Sequence, residues 1–397
     1  MRTISLPAPR VQRPAVNYIS ALRFPLAFLV VLIHVYGSVW QASASPGLDL
    51  WATWLCKDFT SFAVPLFFAI SGFLFFYRKP HPTLLDYRTK FRRRVSTLLL
   101  PYLAWNVLAF ALYALKDCLG GQPLQIPFSL HLFWDARING AATENVWGQA
   151  VGATTAPVLL PLWFVRNLIV VTLLTPLLRP LLRLRWGLGL LLLGGVYYAK
   201  LWPNFFGLDF NAFWFFSLGA WCSLHEKEPL ALTRPLALPA AIITPLALAG
   251  LFLASRSADE IPLLAGLLPP SADPLAKSAE NLPHSAGFIP LLDNLFQQLY
   301  ILGAMVLALH AAGRFCRSHS PSPFLSQSSF FLYACHTILL LPLAGKLAPL
   351  SAPWPLPLQL LTLLFAAALA TALSLLLFYL LRRFLPRASS LLTGVRA

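Results

Sequence analysis

Arg23 and His34 stand eleven residues apart in LRFPLAFLVVLIHVYGS, Leu22 to Ser38, a stretch that is otherwise almost pure hydrocarbon. At about 100° per residue, eleven residues come within about 20° of three full helical turns. The two side chains therefore share one face, about 16 Å apart along the axis, with Ala27 and Val30 between them. An ionisable group inside a bilayer span carries a free-energy cost and defaults to a functional reading. An imidazole titrates near neutral pH and can move a proton. A guanidinium can orient an anion or stabilise developing negative charge. A lone arginine near a span end can simply snorkel to the interface; a stripe shared with a histidine should instead face the protein.

A second group lies in SSFFLYACHTILLLPL, Ser328 to Leu343. Ser329, Tyr333 and His336 are spaced by four and three, which is again one helical face. His336 falls at a depth similar to that of His34. Two imidazoles at one depth could be a base and its orienter, or two ends of a substrate site. In PLWFVRNLIVVTLLTPLL, Pro161 to Leu178, Arg166 lies about a turn below the outer surface. A guanidinium there needs a carboxylate, a carbonyl cluster, or an anionic or sugar ligand. Asp58, Asp209 and Asp293 are candidate partners.

A third group is FAVPLFFAISGFLFFY, Phe62 to Tyr77, followed by RKPHPTLLDYRTKFRRRVSTLLLPY, Arg78 to Tyr102. Pro65 and the Ser71-Gly72 step permit a kink or close helix approach. Seven cations, ending in Arg92, Arg93 and Arg94, lie within 17 residues. They either anchor the chain at the membrane surface or bind a polyanionic cofactor, since arginine clusters hold phosphates well.

The elements that must position these groups follow from composition. Of 397 residues, 58% are apolar and only 11% charged, against about a quarter charged in soluble domains. Repeated apolar runs of about 20 residues indicate an all-α polytopic membrane protein. Ten spans are expected, over 16–39, 56–77, 95–115, 160–179, 186–201, 209–225, 232–254, 290–312, 324–344 and 355–381. With both termini cytoplasmic, 21 of the 30 Lys and Arg fall in inner segments and seven in outer ones, which satisfies the positive-inside rule. The same scatter of short clusters argues against nucleic acid as the partner of a +16 chain. The whole chain, 1–397, reads as one membrane domain with long outer loops at 116–159 and 255–289. The first loop carries Trp134, Asp135, Arg137, Glu144 and Trp147, and the second Asp259 and Glu260. Aromatic faces and carboxylates suit sugar recognition; a plain cover is the bland reading. Ala42–Ala44 reads ASA, like a signal-peptidase site, but lies too deep in the chain for a leader of about 15–30 residues. The five cysteines show neither metal nor disulfide spacing, and free thiols are expected.

Taken together, these motifs resemble the acyltransferase type-three family of integral membrane acyltransferases with about ten spans. The family's Arg-x10-His is matched by Arg23 and His34, and its SGF-like step by Ser71, Gly72 and Phe73. Its Arg-rich segment running into Pro is matched by Arg92, Arg93, Arg94 and Pro101. Its LWF-x-R-[DN]-L is matched by Leu162, Trp163, Phe164, Arg166, Asn167 and Leu168, and its late SFxxYxxH by Ser329, Phe330, Tyr333 and His336. The resemblance covers about 16–385. Many members carry Asp three residues before the first-span Arg, where this chain has Ser20.

The resemblance implies a multi-pass protein of the bacterial cytoplasmic (inner) membrane. It would transfer an acyl group, usually acetyl, from cytoplasmic acyl-CoA (acetyl-CoA in the usual case) to a hydroxyl of a cell-surface or lipid-linked carbohydrate. No metal is expected. His34 would be general base or acyl carrier, Arg23 would orient the donor, and Arg92, Arg93 and Arg94 would hold the CoA phosphates. His336, Tyr333 and Arg166 would shape the acceptor side, with Ser329, Trp163 and Ser71 also in contact with substrate. The rival reading is a transporter or flippase for a glycan or lipid-linked glycan, which would also use intramembrane Arg and His but no acyl donor.

Overall fold

A computed structural model describes residues 14–42, 44–124, 128–139, 154–199, 201, 209–254 and 288–394. Residues 255–287, with Asp259 and Glu260, lie outside the described residues, as do Glu144 and Trp147 of the 116–159 loop.

Helix dominates. The chain forms α1 (Pro14–Val35), α2 (Ala63–Phe76), α3 (Leu84–Arg94), α4 (Leu100–Leu119), α5 (Trp163–Leu173), α6 (Thr175–Leu182) and α7 (Leu188–Tyr198). It continues through α8 (Phe210–Leu224), α9 (Ala237–Ala254), α10 (Phe288–Ser318), α11 (Pro323–Ser351), α12 (Leu356–Phe384) and α13 (Pro386–Thr393). One small hairpin breaks the all-α pattern, pairing Arg137–Asn139 antiparallel with Thr154–Ala156.

Among the described residues, seven helical stretches are long and apolar enough to cross a membrane, or eight when the α5–α6 pair, bent by 67°, counts as one broken span. All ten expected spans exist as helix, but α7 has 11 residues and α8 has 15. At a rise of about 1.5 Å per residue these reach about 16 and 22 Å, short of a hydrocarbon core about 30 Å thick. Helix α8 is buried along most of its length, as a helix enclosed by other helices must be.

Packing explains the glycines. A Cβ on Gly72 of α2 would lie 1.9 Å from the Phe216 carbonyl oxygen of α8, and one on Gly219 of α8 would lie 1.8 Å from that of Ala69. The two backbones meet through reciprocal glycines, the close approach that small residues allow within a bilayer. Pro65 falls in the first turn of α2, where its missing N–H breaks no helical bond, so the kink that the sequence permits there is not required.

Helix α1 is central, packing on α2, α10, α11 and α12. Its Ala27 and Val31 join Leu332 of α11 and Ala366, Ala367 and Ala370 of α12 in one tightly closed core. A capping box between Thr83 and Asp86 starts α3. A π-turn over Val95–Leu99 carries it straight into α4, so the arginine-bearing helix and the apolar helix form one continuous element. Helix α13 folds back against α4, where the Trp105 indole donates to the Leu392 carbonyl at 2.9 Å.

Candidate active site

The crossing of α1 and α11 brings His34 and His336 together. Their ring centroids are 5.1 Å apart at an interplanar angle of 62°. His34 Nδ1 lies 2.9 Å from the Val30 carbonyl and His336 Nδ1 lies 3.2 Å from the Leu332 carbonyl. A carbonyl only accepts, so each Nδ1 carries the hydrogen and each Nε2 keeps its lone pair. His34 is half-buried. His336 is fully buried and its Nε2 has no hydrogen-bond partner. A buried acceptor without a donor is costly unless something else supplies one, and a substrate hydroxyl has the right chemistry.

Beneath this pair lies a cavity of about 1200 Å³, at the large end of ligand sites. Its walls come from α1, α2, α3, α5, α11 and the end of α13. Seven cations line it: Arg23, Arg78, Lys79, Lys90, Arg92, Arg93 and Arg94, with no carboxylate among the lining residues. Lys79 is paired with Asp86. The Lys90 ammonium donates to the Phe75 carbonyl at 2.7 Å and sits 4.6 Å from the Phe75 ring centroid. Arg78 holds φ at +69°, a left-handed conformation that a side chain disfavours. Such strain concentrates at functional sites.

Several sequence-stretch expectations meet here. Arg23, Ser71, Arg92, Arg93, Arg94, Ser329 and Tyr333 all line one cavity. Ser329 Oγ donates to the Ser326 carbonyl at 2.8 Å, and Tyr333 donates its phenol proton to the Pro161 carbonyl. Trp163 does not line the cavity; its ring packs 6.4 Å from Phe68. Arg78, Lys79, Lys90 and Phe164 line it too, although the sequence reading gave none of them a site role. The run of seven cations already contained the first three, and the LWF motif contained Phe164.

Arg166 takes the carbonyl-cluster option. It is 1% exposed. Its guanidinium donates to the Trp134 carbonyl, to the Thr155 carbonyl at 2.6 Å, to Thr155 Oγ1 at 3.1 Å and, through Nε, to Asn167 Oδ1 at 3.2 Å. These bonds tie the N-terminal end of α5 to the hairpin and to Trp134, so the base of the 116–159 loop is fastened to the bundle. Among the described residues no cluster of three or more His, Cys, Asp or Glu could hold a metal ion, and all five cysteines are free.

The sequence matches the family model described as "Acyltransferase domain" over residues 16–383. It is similar to the succinoglycan biosynthesis protein ExoH of Rhizobium meliloti (strain 1021), with 31% identity over 221 residues, covering 54% of this chain and 56% of that protein. The matched region thus spans about half the length of that relative. No solved structure matches.

Proposed function

Because this chain belongs to the acyltransferase family whose model it matches from end to end of its helical core, we propose that it moves an acyl group, acetyl in the simplest case, from acyl-CoA to a hydroxyl of a cell-surface or lipid-linked carbohydrate. The carbohydrate acceptor draws support from the similarity to a protein named for succinoglycan biosynthesis. The single observation that carries the donor is the cavity with seven cations and no lining carboxylate. CoA is polyanionic at one end and a slender thioester at the other. Arginine forks suit its phosphates. The apolar walls formed by Ile70, Leu74, Val165 and Leu168 suit the pantetheine arm.

His34 is the general base in this reading. Its Nδ1–H is held by the Val30 carbonyl, which leaves Nε2 to accept the acceptor's hydroxyl proton. The freed oxygen attacks the thioester carbonyl carbon, the C–S bond breaks, and the CoA thiolate takes the proton back from the imidazolium. An ester and CoASH result, with the histidine regenerated. His336 Nε2 accepts a hydrogen bond from the same substrate and orients it. Arg23, at the cavity wall on the same helix face, holds the donor. The membrane is the bacterial cytoplasmic one, with the cation-lined mouth on the cytoplasmic side.

The test is donor dependence. Acyl-CoA should stabilise the purified protein against heat, and surface polysaccharide from producing cells should carry acyl groups that vanish when the chain is deleted. Stabilisation by glycans alone, with acyl-CoA silent and the polysaccharide unchanged on deletion, would instead favour a transporter.

A further inference from the structure

The cavity stops short of the histidines. On α2 its lining runs from Arg78 inward to Phe67, on α5 from Leu168 to Phe164, and on α11 from Ser326 to Tyr333. These three innermost residues are all aromatic, and Phe164 packs against the other two. The Phe67 and Phe164 centroids are 5.9 Å apart, and those of Phe164 and Tyr333 are 5.7 Å apart. Phe68 backs Phe164 at 4.4 Å. Tyr333 is pinned by its bond to the Pro161 carbonyl, and the His336 ring lies 6.4 Å beyond it. A row of rings centred on Phe164 therefore stands between the cation-lined space and the paired imidazoles.

We infer that this Phe67–Phe164–Tyr333 layer selects the donor by acyl-chain length, with Phe164 as the specificity-determining residue. The inference rests on the acyl-CoA reading above. A thioester carbon that reaches His34 must bring its acyl group to or through this layer. Close-packed interiors do not yield to extra methylenes without strain. Phe164 has rings on both sides and Tyr333 is anchored, so the room left suits an acetyl or similarly short group and rejects a long chain. Replacing Phe164 with Ala removes the middle ring and leaves an apolar space bounded by Phe67, Phe68 and Tyr333, which a longer acyl tail can fill.

Inside-out membrane vesicles from producing cells, which carry the native acceptor, would be supplied separately with radiolabelled acetyl-CoA and hexanoyl-CoA, and label in the polymer measured. Wild type should strongly prefer acetyl. Phe164→Ala should raise the hexanoyl-to-acetyl ratio by about tenfold or more, the scale on which apolar pockets discriminate chain length. Phe164→Leu should shift it the same way by a smaller factor. Equal use of both donors by wild type would overturn the inference. So would an unchanged ratio in Phe164→Ala, or in Phe164→Leu and Phe67→Ala if the first variant is not recovered folded. If neither donor labels the polymer in wild-type vesicles, the acyl-CoA reading itself falls, and the length selector with it.

Discussion

His34 and His336 meet edge to face, 5.1 Å between ring centroids, each with its Nδ1 turned back to the carbonyl one turn earlier in its own helix. That repeated local bond leaves two basic nitrogens side by side, one on a fully buried ring and one on a half-buried ring. Two imidazolium charges so close would repel strongly in a low-dielectric setting, so the pair holds one added proton at most. The arrangement fits one proton-accepting histidine and one neutral partner that binds a hydroxyl.

Replacing His34 should therefore remove chemistry and spare donor binding. His34→Ala is expected to lower the transfer rate by about 100- to 10,000-fold, the usual range for a general base, with acyl-CoA affinity nearly unchanged. His336→Ala should weaken acceptor binding and rate together. Single-turnover transfer measured beside acyl-CoA binding separates the two. Wild-type turnover in His34→Ala would remove His34 from the mechanism.

The arginine cluster should act through charge. Arg92, Arg93 and Arg94 line the cavity from the last turn of α3. Changing all three to Gln should raise the acyl-CoA dissociation constant, and wild-type affinity should fall with added salt as screening grows. Titration calorimetry at two ionic strengths measures both effects, and cysteine accessibility confirms that the variant keeps its orientation. Unchanged affinity with orientation intact would assign these arginines to membrane anchoring.

Arg166 should matter for structure before it matters for substrate. Arg166→Met leaves the Trp134 and Thr155 carbonyls without their buried donor, at a cost of about 1–3 kcal/mol for each unsatisfied group. Arg166→Lys should rescue poorly, because one ammonium cannot reproduce the forked geometry. Thermal unfolding and amide exchange at Thr155 report this loss. Full stability in Arg166→Met, with acceptor binding alone impaired, would return Arg166 to the acceptor site.

Much of this was legible in the sequence because membrane chemistry is strict. Ionisable residues within apolar runs are rare enough to stand out, so Arg23, His34 and Arg166 declared themselves. The spacing of Ser329, Tyr333 and His336 gave their common face. Helix number was less legible: α7 and α8 read as spans because hydropathy measures composition, whereas their 11 and 15 helical residues fall short of the usual crossing length. The partner of Arg166 was hidden for another reason. Its acceptors are mostly backbone carbonyls, which every residue carries, so no side-chain pattern marks them. Phe164 stood in the LWF motif without a role, because an aromatic residue among apolar neighbours signals core and cavity wall alike.

Gly72 offers a stability test independent of function. A methyl there would sit 1.9 Å from the Phe216 carbonyl oxygen, so Gly72→Ala must push α2 and α8 apart. Overpacking of this kind costs about 1–3 kcal/mol or more. Gly345 on α11 is the control, because a Cβ there meets nothing within 4 Å. Gly345→Ala should be neutral or mildly stabilising, as expected for Ala over Gly inside a helix. Thermal unfolding of both variants in the same detergent decides it; similar midpoints would mean that α2 and α8 do not pack through their glycines.

Sidedness tests the whole proposal. The cation-lined mouth gathers Arg78, Lys79, Lys90 and Arg92–Arg94 at one end of the bundle, and the positive-inside rule assigns such a cluster to the cytoplasm. Arg166 fastens the hairpin and Trp134 near the opposite end of the chain's path through the bundle, where the aromatic and acidic loop begins. CoA is too large and charged to cross lipid, but its acyl group need only reach the paired histidines. We therefore expect donor from the cytoplasm and acceptor from outside. In sealed inside-out vesicles, added acyl-CoA should label acceptor trapped in the lumen; in right-side-out vesicles, external acyl-CoA should not. Equal labelling in both, with the vesicles shown to be sealed, would place donor and acceptor on the same face and defeat transfer through the membrane.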